Sequence, residues 1–180
     1  MNRIFHLLQH WANWKTIALL TALFLTFTVF ILPAAASADG KSLSVLDRRF
    51  WYTPQQAYEA ISQYSPEARQ AAMLTHLSLD VMYPLIYGLL LSLLLLVVYR
   101  HAPVAQQSQL VLLPWQAVFA DLFENTGLVV MFALYPARFS LLSWLTAIFT
   151  ALKWLQLGLS LLVLLIGVLL LISRKIKRSV

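Results

Sequence analysis

The sequence predicts an all-α membrane protein, a four-transmembrane-helix bundle with a small helical loop on one side, as a single domain over residues 1–180. Three observations predict it. Hydrophobic residues make up 61% of the chain and charged residues only 11%, about half the charged share of soluble domains. Four apolar stretches reach the roughly 20 residues a helix needs to cross a bilayer. Basic residues collect at the ends of those stretches, where topology and anionic lipids account for a net charge of +6 without any nucleic-acid partner.

The spans fall at about 16–33, 77–99, 109–135 and 141–172. Before the first, Ile4, Leu7, Leu8, Trp11 and Trp14 recur at helical spacing, with Arg3, His6, Gln9, His10 and Asn13 between them. That pattern fits a short helix lying in the membrane interface, or a plain extension of the first span. After it, Pro33-Ala-Ala-Ala-Ser-Ala38 looks like a signal-peptidase site, and its use would leave three spans. The apolar run of about 17 residues exceeds the 7–15 of a signal core, so a retained first helix is expected.

The loop of about 34–76 is too long to be structureless. Thr53-Pro54 with Gln56 is an N-cap, an N1 proline and a capping-box partner. Ser65-Pro66-Glu67 repeats the start signal. Two short helices follow, the second running into span two. Phe50, Trp51 and Tyr52 suit the headgroup zone, with Tyr135 and Trp144 at the same level and Tyr99 at the opposite one. The segment around Pro103 is a connector, and the last span is long enough to tilt or to extend past the headgroups.

Arg3, Lys15, Arg100, Arg174, Lys175, Lys177 and Arg178 flank one side. Lys41, Arg48, Arg49, Arg69 and Arg138 flank the other, diluted with Asp39, Asp47, Glu59 and Glu67. The positive-inside rule then places both termini in the cytoplasm of a bacterial inner membrane. With no cysteine in the chain, disulfides, thiolate metal sites and cysteine nucleophiles are excluded. No hydrolase, metalloprotease or phosphate-loop motif is present. No internal repeat supports an inverted-repeat transporter.

Four ionisable side chains sit where lipid should be: Asp80, Asp121, Glu124 and Lys153. A charge at the bilayer centre costs roughly 2.5–3.5 kcal/mol on the insertion scale, so such groups pair, line a wet cavity or work. Asp80, Tyr83, Pro84 and Tyr87 fall at i, i+3, i+4 and i+7 and share a face, with His76 one turn earlier. Pro84 cannot donate to the Asp80 carbonyl, which needs another partner. That freed carbonyl with its carboxylate suits a cation; a proline kink with a salt-bridged Asp80 is the structural alternative. Asp80 lies only about 5 Å inside its span.

Asp121, Glu124 and Asn125 share a face of the third span. Asp121 lies about 18 Å deep, and Lys153 about as deep in the fourth span. Two carboxylates one turn apart repel in low dielectric, so one holds a proton or they share a cation. A Lys153–carboxylate pair is the economical prediction, with Thr146, Thr150 and Gln156 on the same side. His76, Asp80, Asp121 and Glu124 are a weak metal set, with a single histidine, and no metal or other cofactor is expected.

The polar column stops halfway. Residues 89–98 and 157–172 contain only Ser92 and Ser160 as polar side chains. A conduit needs polar groups on both sides of the midplane, so the pattern indicates a pocket open to the outer face or leaflet. Gly88 and Ser92, four apart, indicate a close helix contact.

Asp47 with Phe50 and Tyr52, Asp80-x-x-x-Pro84-x-x-Tyr87, Asp121-x-x-Glu124-Asn125 and Lys153 are similar in order to a group of small four-span bacterial inner-membrane proteins. The resemblance covers nearly the whole chain and implies a retained first helix, but no activity. Sterol-isomerase-like and sigma-2-receptor-like membrane proteins resemble it in arrangement alone, placing acids in an intramembrane pocket for lipophilic amines or sterols. No motif is shared with these, so no residue role carries over.

The expected site is therefore Asp80, Tyr83, Tyr87, Asp121, Glu124, Asn125 and Lys153, binding a small cation or a lipid-like headgroup. Alternatives are a lipid-modifying enzyme with Glu124 or Asp121 as acid/base, a structural subunit of a membrane complex, and an ion-coupled transporter. The expected partners are membrane lipids and a small cation or amphiphile, with a homo-oligomer or larger complex open.

Overall fold

The structure is a computed structural model that describes residues 2–37, 46 and 48–179. The Pro33–Ala38 cleavage motif ends, and Asp47 falls, outside them. Helix α1 (Asn2–Trp11) is followed by α2 (Trp14–Thr26), a π-helical turn (Phe27–Ile31) and α3 (Leu32–Ser37). Two short helices follow, α4 (Pro54–Ser62) and α5 (Pro66–Leu77), then α6 (Leu79–Val98), α7 (Val104–Leu134) and α8 (Ser140–Ser179). No strand occurs among the described residues. Four helical stretches are long and apolar enough to span a membrane: Trp14–Ala35, Pro66–Val98, Gln106–Leu134 and Ser140–Ile176.

Local signals set the boundaries. Asn13 separates α1 from α2, because its Oδ1 accepts from the Lys15 and Thr16 N–H groups at 3.1 Å each and so caps the span. The N-terminal helix is thus a separate element, with Phe5 and Leu8 buried against Leu93, Leu96 and Val111. Thr53 and Gln56 form the reciprocal capping box, at 3.3 and 2.9 Å. Ser65 caps α5 through the Ala68 N–H at 3.1 Å. Helix α5 runs into the second span with one break at Ser78.

The second and third spans form the centre, with 50% and 56% of their most apolar stretches buried, against 6% and 11% for the first and fourth. Chains of leucine left exposed on α2 and α8 suit lipid, which offers apolar side chains the solvent they prefer. Tight crossings hold the centre. A Cβ on Gly88 would overlap the Val118 side chain, and one on Gly127 would overlap Thr146. Only glycine lets α6 and α8 approach α7 this closely. Ser92 bonds the Gly88 carbonyl at 2.8 Å and lies 3.4 Å from the Val111 carbonyl. The sequence-read Gly88/Ser92 contact is therefore the α6–α7 seam.

The loop helices cover one end. Tyr52, Ala57, Tyr58 and Ile61 pack with Leu128, Met131, Phe132 and Ala147. Phe50 and Trp51 are exposed as expected of headgroup aromatics, and Trp51 lies 5.6 Å from the Trp144 ring. Tyr52 differs: it is 0% exposed. Its hydroxyl has polar partners inside the bundle, which removes the reason for a tyrosine to stay at the wet boundary.

Candidate functional site: a buried Asp–Glu–Lys cluster beside an intramembrane cavity

Helices α7 and α8 cross tightly where Gly127 meets Thr146, and one to two turns further along their charged side chains converge. Lys153 Nζ lies 2.5 Å from Glu124 Oε2 and 3.7 Å from Asp121 Oδ1. Thr150 Oγ1 donates to Glu124 Oε1 at 2.8 Å, shares the Thr146 carbonyl at 3.0 Å, and lies 3.4 Å from the Tyr52 hydroxyl. Glu124 and Thr150 are fully buried, and Asp121 and Lys153 nearly so. The depth match read from the two spans is a direct ion pair. Low dielectric strengthens that pair and makes losing either half expensive.

Tyr87 ties α6 into the cluster, its hydroxyl donating to Asp121 Oδ2 at 3.0 Å. Asn125 Nδ2 donates to Asp121 Oδ1 at 3.3 Å and to the Asp80 carbonyl at 2.9 Å. This is the carbonyl that Pro84 leaves without its helical donor. The sequence showed that it needed a partner, and the partner is the amide of the neighbouring span. The Asp80 carboxylate pairs with His76 Nδ1 at 2.7 Å. Both groups suited to a cation at this position, the carbonyl and the carboxylate of Asp80, thus hold protein partners. Among the described residues, no three His, Asp or Glu side chains gather as a metal site.

Asn125→Leu is expected to destabilise the fold by about 1–3 kcal/mol, the penalty for a buried acceptor left without a donor. Pro84→Ala in the same background should recover part of that loss, because alanine restores the α6 donor to the Asp80 carbonyl. A double-mutant cycle in denaturant checks it. Additive effects of the two changes would show that the Asn125–Asp80 bond carries no stability.

Next to the cluster lies a cavity of about 490 Å³, within the range of small-molecule sites. Its walls come from the first span, α6, α7 and α8. Asp80, Tyr83, Tyr87, Asp121 and Lys153 border it, with the exposed Arg48 at its edge. Glu124 and Asn125 do not border it. Of the seven expected site residues, five face one space and two stand behind its wall, holding the others in place.

The π-turn shapes the near side. The Leu32 N–H bonds the Phe27 carbonyl, five residues back. Thr28 of this turn lies 3.3 Å from the Tyr83 hydroxyl, and Phe24 and Phe27 stack on the Tyr83 ring at 5.5 and 6.3 Å. Sequence reasoning missed Thr28, Arg48 and Tyr52. Thr28 is one of four threonines in the first span, with Thr16, Thr21 and Thr26, and nothing local sets it apart. Nothing local distinguishes Arg48 from its neighbour Arg49.

Comparisons with protein-family models, with curated proteins and with solved structures each find no match to this chain. Fold and site together define its class: an integral multi-pass membrane protein whose helical bundle encloses a buried Asp–Glu–Lys cluster.

Proposed function

We propose that the cavity binds a single-chain amphiphile with a cationic head, drawn sideways from the bilayer. The carrying observation is its two-ended lining. Asp80, Tyr83, Tyr87, Asp121 and Lys153 form one end, and Leu90, Leu91, Leu157 and Leu161 the other. From Asp80 to Leu91 the α6 wall rises about 16 Å, the length of a folded-in headgroup and part of an acyl chain.

Charge balance favours the cation. Lys153 is matched by Glu124 behind the wall at 2.5 Å, which leaves the Asp121 and Asp80 carboxylates bordering the cavity, with His76 2.7 Å from Asp80 and Arg48 at the edge. Among the described residues the first and fourth spans share no extensive packing, yet Phe24, Thr28 and Leu32 face Trp154, Leu157 and Leu161 across the cavity. That gap is the entry route. The basic terminal segments support a bacterial inner membrane with both termini cytoplasmic and the cavity's polar end toward the periplasm. A C-terminal reporter that works only in the cytoplasm reads this orientation, and an inactive one overturns it.

Hexadecylamine and hexadecanoate, matched in chain and opposite in head charge, test the ligand class. The amine is expected to raise the thermal unfolding temperature of the detergent-purified protein saturably, and the acid not to. Asp121→Asn leaves Lys153 paired with Glu124, so the fold is retained while the amine response is lost. An equal response to both probes, or an undiminished one in Asp121→Asn, overturns the reading.

A further inference from the structure

A second cavity, of about 820 Å³, lies at the opposite end of the bundle. It is bordered by Gln9, Trp14, Leu96, Arg100, Val104 and Gln107. The break at Asn13 opens it, because α1 turns away from α2 and leaves space against the α6–α7 connection. Gln107 is buried and organises the wall. Its Nε2 donates to the Ala102 carbonyl at 2.7 Å and the Arg100 carbonyl at 3.3 Å, and its Oε1 accepts from Gln9 Nε2 at 3.5 Å. The backbone carrying Arg100 is therefore held by the Gln107 amide, which Gln9 braces in turn.

The charge at this end has one sign. Residues 1–38, 99–120 and 154–180 contain no acid, while Arg3, Lys15, Arg100, Arg174, Lys175, Lys177 and Arg178 are all there. Arg100 Nε donates to His101 Nε2 at 3.1 Å, leaving the terminal guanidinium nitrogens for a ligand. Among the described residues no carboxylate pairs with it. Trp14, 76% exposed, stands at the mouth as indoles do at headgroup level. Ile17, Leu96 and Val97 supply an apolar inner wall.

An arginine on a held backbone at the mouth, the Gln9 amide beside it and an apolar wall beneath match a phosphodiester on an acyl chain. Basic hollows between spans on the cytoplasmic side hold such headgroups in general, and guanidinium forks fit phosphate oxygens. We infer that this cavity is a binding site for an anionic phospholipid of the adjacent leaflet, with Arg100 as the phosphate ligand. The site is separate from the charge cluster and independent of what the first cavity binds.

Thermal unfolding of the full chain in nonionic detergent, titrated with phosphatidylglycerol, with phosphatidylcholine of the same chains and with inorganic phosphate, tests it. Phosphatidylglycerol alone should raise the unfolding temperature saturably. Arg100→Gln should move its half-saturation up about fivefold, the share of one basic contact. Arg100→Lys should keep most of the response, which separates lost charge from lost folding. Arg174→Gln removes the same charge from the same end outside the cavity and should change nothing. The site is overturned if phosphatidylcholine acts equally, if Arg100→Gln retains the response, or if Arg174→Gln weakens it as much. A response reproduced by inorganic phosphate overturns the lipid and assigns the cavity to a free anion.

Discussion

Lys153→Met is expected to lower folding stability by about 3–5 kcal/mol, the range for breaking a buried ion pair from one side. Its ammonium lies 2.5 Å from a fully buried Glu124 carboxylate and 3.7 Å from Asp121. Methionine fills similar volume, so the loss reports charge and not a void. Asp121→Asn and Glu124→Gln added to Lys153→Met should restore most of the stability, since no ion then remains unpaired. Chemical unfolding of the purified protein, followed by its helical circular dichroism, reads both variants. A single variant as stable as the parent would show that the cluster is not held as ions.

Tyr52→Ala should cost about 3–5 kcal/mol, as for other fully buried aromatics. The ring is wholly buried in the core that joins the loop helices to α7 and α8, and its hydroxyl reaches Thr150 at 3.4 Å. Tyr52→Phe keeps the packing and removes the hydroxyl, with an expected loss of about 1 kcal/mol. The two variants divide packing from polarity in the unfolding curve. Equal losses for both would place the whole contribution in the hydroxyl.

What the sequence made legible follows what is local or set by depth. Helix rise placed Asp121 and Lys153 at one level, and the structure joins them. Proline chemistry showed that the Asp80 carbonyl needed a donor. It did not identify Asn125, because the partner sits on another helix and no spacing along one chain encodes it. Thr53 and Gln56 announced the start of α4 because capping is a contact between near neighbours. Tyr52 was read as a boundary aromatic because its partner Thr150 is 98 residues away and burial is a tertiary property. Arg48 was hidden because the cavity it borders is walled by helices far from it in sequence. The π-turn at 27–31 leaves no compositional mark, because its residues are as apolar as an α-helix would use.

The Asn125 amide gives one group two obligations. It closes the gap that Pro84 opens in α6 and it steadies the Asp121 carboxylate. Bending at the proline and charge at the aspartate are therefore mechanically joined. Any straightening of α6 that withdraws the Asp80 carbonyl also displaces the donor that Asp121 relies on. A load taken up at the kink would reach the midplane acid by two routes, the Asn125 amide and the Tyr87 hydroxyl that α6 itself carries to Asp121.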